Sequence, residues 1–131
     1  MLVPMTHEQL AAQVWQVLVL AARNQQILSY AALEEVTGVP GRGLAPILSK
    51  VEHYCKDKGF PHLTAVVVSQ ASGFPGHLFP GYAEAEKDLE LVREPGLHGL
   101  RIIQEQARTF VFEWTEHLPP SEHDFADVRK S

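Results

Sequence analysis

The chain has a single cysteine in 131 residues, Cys55, so no internal disulfide can brace it, and a lone thiol fits a reducing compartment. It also has no apolar run that could cross a bilayer. The strongest, Val17 to Ala22, falls far short of the roughly 20 residues a spanning helix needs. No charged segment followed by an apolar stretch opens the sequence, so no secretory signal is expected. Together these absences predict a cytoplasmic protein with no membrane partner. Internal repeats and low-complexity segments are missing as well. Net positive charge is lacking: the formal charge is −5. Phosphate attraction supplies most non-specific affinity for nucleic acid, so an acidic chain is a poor non-specific binder.

What is there is a core and an uneven charge. Hydrophobic residues make up 45% of the chain, enough to bury a real interior and unlike a disordered sequence. Residues 1–82 carry five acids (Glu8, Glu34, Glu35, Glu52, Asp57) and five bases (Arg23, Arg42, Lys50, Lys56, Lys58), and so are neutral. The whole deficit lies in residues 83–131. A neutral half can still meet a polyanion if its cations share one face.

Periodicity predicts a mainly helical α+β fold. A first helix runs from about His7 to Arg23, opened by Thr6 and Gln9 as a capping box, with Leu10, Val14, Val17, Leu18 and Ala21 on one stripe. A second, short helix follows Ser29 as N-cap, turns Ala32, Leu33 and Val36 inward, and ends at Gly38, placed for the left-handed conformation. A third runs from about Gly43 to Lys58 with Pro46 in its first turn, and Gly59 stops it. Its inward stripe is Leu44, Ile47, Leu48, Val51, Tyr54 and Cys55, and Ser49, Lys50, His53, Lys56 and Asp57 face out. Leu63–Ser69 reads as a strand covered on both sides, returning through a hairpin at 70–73. Helices are expected at 83–93 and about 97–108, the latter with Leu97, Leu100, Ile103 and Ala107 inward. Phe110–Trp114 alternates as a strand. The domain is expected to span residues 1–119, with 120–131 a polar, frayed tail.

Two helices joined by a glycine-containing turn, the second amphipathic, form a helix-turn-helix pattern, and a following hairpin makes it winged. Such a unit reads DNA by laying its second helix in the major groove. The outward residues there are Pro46, Ser49, Lys50 and His53, with Arg42 where the helix begins. Ser29-Tyr30-Ala31-Ala32-Leu33 through Gly38 resembles the start of the DNA-binding helix of the alkylguanine-DNA alkyltransferases. Arg42-Gly43-Leu44-Ala45-Pro46-Ile47-Leu48 resembles that family's recognition helix, and Ser72-Gly73 with Gly76 its wing. The resemblance covers residues 29–82. It implies a winged-helix DNA-binding domain in which Tyr30 approaches the nucleotide backbone and Arg42 enters the base stack. The family's proline-cysteine-histidine-arginine has no counterpart: aligned on Ser72-Gly73, Thr64, Ala65, Val66 and Val67 stand there. The nucleophile is gone, and Cys55, on the inward stripe, cannot replace it.

The residues by themselves leave alternatives open. Tyr30 is either a core aromatic or a backbone contact, and Arg42 either a solvated turn residue or a phosphate ligand. His53 and Asp57 are four apart on one helix face, a usable metal pair, but no third ligand has suitable spacing, so no metal or other cofactor is expected. No acid–base or nucleophile constellation is visible, which argues against an enzyme. Two functions stand: a non-catalytic winged-helix-like protein binding duplex DNA through Tyr30, Arg42, Ser49, Lys50 and His53, or a protein-interaction module (adaptor, subunit or inhibitor). The latter would use Phe74, Phe79, Tyr82 and Trp114 or the acidic C-terminal surface.

Overall fold

The computed structural model describes residues 5–68 and 95–127, with side chains throughout except at 41, 42, 95–102 and 127. The expected hairpin at 70–73, Phe74, Phe79 and Tyr82, the helix at 83–93 and the inward placement of Leu97 and Leu100 lie outside what is described.

The molecule is mainly helical with a small sheet. Helix α1 (His7–Arg23) starts at a capping box in which the Thr6 hydroxyl accepts from the Gln9 N–H at 3.1 Å. The Gln9 side chain returns the bond to the Thr6 N–H at 2.9 Å. Both satisfy donors that a helix start leaves open. Strand β1 (Leu28–Ser29) leads into α2 (Tyr30–Thr37), where the Ser29 hydroxyl accepts from the Ala32 N–H at 3.0 Å. Helix α3 (Gly41–Lys58) follows. Gly38 after α2 and Gly59 after α3 each take a φ of +73°, a conformation that a Cβ disfavours, and this is why each helix ends there.

Helix α3 begins two residues earlier than its periodicity suggests, so Pro46 sits beyond the first turn and denies one carbonyl its usual partner. Val36, expected inside on α2, is exposed; only Leu33 of that helix is fully buried.

The expected strand at 63–69 is only partly a strand. Leu63–Val66 coil into a 3-10 turn, and β2 (Val67–Val68) pairs in parallel with β1, Leu28 opposite Val67 and Ser29 opposite Val68. A short run apolar on every side does not distinguish a buried strand from a buried turn by periodicity. The parallel pairing needs a crossover, and α2 and α3 supply it.

Helix α4 (Pro95–Val111) runs past the expected end and absorbs Phe110 and Val111, which the alternation had assigned to a strand. Trp114–Glu116 then form a single 3-10 turn. The Trp114 indole N–H donates to the Thr109 carbonyl at 2.8 Å, satisfying a backbone group that the end of α4 leaves open. Residues Glu122–Asp127 form α5 where a frayed tail was expected, and its Phe125 is fully buried.

The core is built around Trp15 of α1. Its ring meets Tyr54 at 5.3 Å and Trp114 at 5.5 Å between centroids, both edge-on, and Phe125 at 6.3 Å. Leu18, Leu33, Leu44, Ile47, Leu48, Val51 and Val66 fill the rest. The inward stripe expected of α3 is buried in full.

Candidate nucleic-acid interface and the buried polar cluster beneath it

The outward side of α3 is narrower than its sequence suggests. Ser49 is half-buried, and His53, Lys56 and Asp57 are exposed. Ser49, His53 and Lys56 follow one another at four and three residues, so they form a row along one face. Position 42 lies seven residues before Ser49, in register with that row. Nothing further is described of Arg42. Tyr30 opens α2 half-buried and packed against the core.

Lys50 does not join the row. It is 5% exposed, and its Nζ lies 3.7 Å from Glu8 Oε1 at the start of α1. The broad packing of α1 on α3 takes in the flank where Lys50 sits. Its aliphatic stem is buried with its charge. The Glu8 carboxyl is held below the ordinary value, first by its own backbone N–H in the opening turn of the helix and then by Lys50.

His53 has a fixed neighbour. Its Nδ1 lies 2.9 Å from the Ser49 carbonyl oxygen, one turn back, and 3.5 Å from the Ser49 hydroxyl.

On the opposite flank of α3 a buried polar cluster joins three elements. Glu52 is only 2% exposed. Its Oε1 accepts from the Thr64 hydroxyl at 2.9 Å, and its Oε2 accepts from His62 Nδ1. Helix α4 completes the arrangement. Glu105 accepts the His62 backbone N–H at 2.8 Å and is paired with Arg108 at 2.8 Å. Gln106 donates to the Ala65 carbonyl at 3.0 Å. The Thr109 hydroxyl lies 2.9 Å from the Glu105 carbonyl and 3.3 Å from that of His62.

This corrects the expected face of α4. Ile103 is 56% exposed and Ala107 is exposed, while Glu105, Gln106 and Thr109 turn inward. The reason is backbone chemistry: the irregular stretch at 62–66 leaves peptide groups unpaired, and only polar side chains can satisfy them when buried. Sequence reasoning missed Glu52, His62 and Glu105. One signal was available, since Thr64 is the lone hydroxyl inside an apolar run and a buried hydroxyl calls for a partner.

Cys55 lies beside this cluster, fully buried and with its thiol unoxidised. Burial pushes the thiol well up, and the charges of Glu52 and Glu105 add to the rise against a smaller opposing effect of the Leu63 backbone. It is a structural thiol and no nucleophile. Among the described residues no group of three His, Cys, Asp or Glu side chains could hold a metal, and no helix is long and apolar enough to cross a membrane.

Trp114, expected at a docking surface, is 4% exposed and belongs to the core. The surface near it is a groove of about 490 Å³ bordered by Pro61, Arg108, Val111, Phe112, Glu116 and His117. The Phe112 and His117 rings lie 5.2 Å apart and nearly parallel, at 7°. No family model, no curated protein and no solved structure matches this chain.

Proposed function

We propose that this protein binds duplex nucleic acid through the outward face of α3, without catalysis. The observation that carries the reading is the row Ser49, His53 and Lys56. It is polar, exposed at His53 and Lys56, and lies on the second of two helices joined by a short turn, as a helix-turn-helix reading requires. The width of a major groove suits one such helix. Position 42 shares the register of the row, and the resemblance of residues 29–82 to the alkyltransferase DNA-binding half supports the same use. Lys56 is the exposed cation of the row, whereas Lys50 lies inside the fold beside Glu8.

Fluorescence anisotropy with a labelled duplex tests this. At about 50 mM salt, where phosphate contacts are strong, we expect micromolar binding that weakens as salt rises. Lys56→Ala should reduce the affinity and shorten the salt dependence by about one phosphate contact. No binding at micromolar protein overturns the proposal.

A protein-interaction module is the second reading, favoured by the groove at Phe112 and His117 and by the exposed Val111 and Leu118 at 75% and 91%. Val111 borders the groove and adds an apolar contact beside the Phe112 ring. A photo-crosslinking residue in place of Val111 should yield a discrete adduct in extract of the native host. Adducts no different from those of a crosslinker at exposed Gln13 would remove this reading.

A further inference from the structure

The geometry points to His53 as a base-reading acceptor on α3, recognising an exocyclic amine in the major groove; this inference rests on the proposed nucleic-acid reading. His53 Nδ1 lies 2.9 Å from the Ser49 carbonyl oxygen. A carbonyl oxygen has no hydrogen to give, so the ring nitrogen must donate. In the neutral imidazole only one nitrogen carries hydrogen, and a backbone carbonyl on Nδ1 therefore leaves Nε2 with its lone pair.

The ring is exposed, and position 53 falls between Ser49 and Lys56 in the row along the helix. Asp57, one turn beyond it, is the acid on this face. The Ser49 bond fixes the tautomer and holds the ring along the helix. What His53 offers a ligand is thus an acceptor held in place.

Major-groove edges differ in donors. Adenine presents its N6 amine and cytosine its N4 amine, whereas guanine O6 and N7 and thymine O4 are acceptors. An acceptor on the helix pairs with the first two and sets lone pair against lone pair with the others. Lys56 supplies a contact to phosphate that carries no sequence information. His53 would then set preference at one base position, for adenine or cytosine over guanine or thymine.

The experiment uses the full chain at about pH 8. A randomised duplex pool is enriched on the wild type and on His53→Ala. The wild type should enrich adenine or cytosine at one position, and the variant should lose that preference while keeping salt-dependent binding. In the enriched duplex, the amine-bearing base is then replaced by its analogue without the exocyclic amine. Wild-type affinity should fall about fivefold, the scale of one hydrogen bond, and that of His53→Ala should not change. Nitrogen-15 NMR of the free protein should find Nε2 as the unprotonated ring nitrogen of His53.

Equal base preferences in wild type and variant, or an unprotonated Nδ1, overturn the inference while duplex binding itself stands. Absence of wild-type binding overturns both.

Discussion

Lys50 and Glu52 sit two residues apart on α3, both withdrawn from water, and the fold treats them very differently. Glu52 accepts from Thr64 and from His62, and the loop that presents those donors is itself held by Glu105, Gln106 and Thr109 of α4. Lys50 meets a single counter-charge, Glu8 at 3.7 Å, and its Nζ makes no hydrogen bond among the described residues. A buried polar group with its bonds made is costly to disturb, whereas one with them unmade is already costly to keep. The contrast divides α3 into a flank that organises the C-terminal half and a flank that merely tolerates a charge.

Removing Glu52 should have the largest effect. Glu52→Ala removes the acceptor of the Thr64 hydroxyl and of His62 Nδ1 and opens a cavity, and we expect a loss of about 3–4 kcal/mol, read from the urea midpoint. Glu52→Gln keeps the volume and one acceptor oxygen and should cost about half as much. A loss below about 1 kcal/mol for Glu52→Ala would mean that the cluster decorates the junction of α3 and α4 instead of holding it.

Which parts of this were legible in the sequence follows from the range of the forces. The caps at Thr6, Ser29, Gly38 and Gly59 were readable because each is settled within three or four residues. The inward stripe of α3 was readable because a helix repeats its face. Lys50 was misread as outward because its burial depends on Glu8, on another helix. Glu52 and His62 stayed hidden because the cluster that gives them meaning closes through Glu105, 43 residues beyond His62. The strand expected at 110–114 failed because the Trp114 indole is held by Thr109, a bond that hydropathy alternation cannot register. The α2–α3 pair was legible by the same local rules. The expected role of Lys50 depended on tertiary packing, and the packing took it away.

The second effect reaches the thiol beside the cluster. Cys55 has a raised value in the fold, chiefly from burial and then from Glu52 and Glu105. An unfolded thiol titrates near about 8.5. A group raised in the folded state gives stability that is complete below its unfolded value and is lost as pH climbs above it. Stability should therefore fall by about 1.4 kcal/mol per pH unit above roughly 9. Tyr54, raised by its burial and then by Asp124, adds a loss of the same sign at higher pH. In Cys55→Ala the decline between about pH 9 and 10 should flatten, which urea titrations at each pH would reveal. An unchanged slope would place the alkaline loss elsewhere.

The smallest effect is the most discriminating, because it separates stability from binding at neighbouring positions of one helix. Lys50→Met replaces a buried ammonium by an apolar chain of similar length, and removes the desolvation that a single 3.7 Å partner cannot offset. Glu8 is left on an open helix start, where its own backbone N–H still favours the carboxylate. We expect the variant to be as stable as wild type or more so by about 1 kcal/mol, a rise in melting temperature of roughly 3 °C. Its affinity for duplex should be unchanged, since Lys50 offers nothing to the surface. Lys56→Ala should show the reverse, with stability within about 0.5 kcal/mol of wild type and weaker, less salt-dependent binding. If Lys50→Met weakens duplex binding as much as Lys56→Ala does, Lys50 must leave Glu8 when the ligand arrives. The two flanks of α3 would then differ only in the free protein, and α1 would have to yield for α3 to bind.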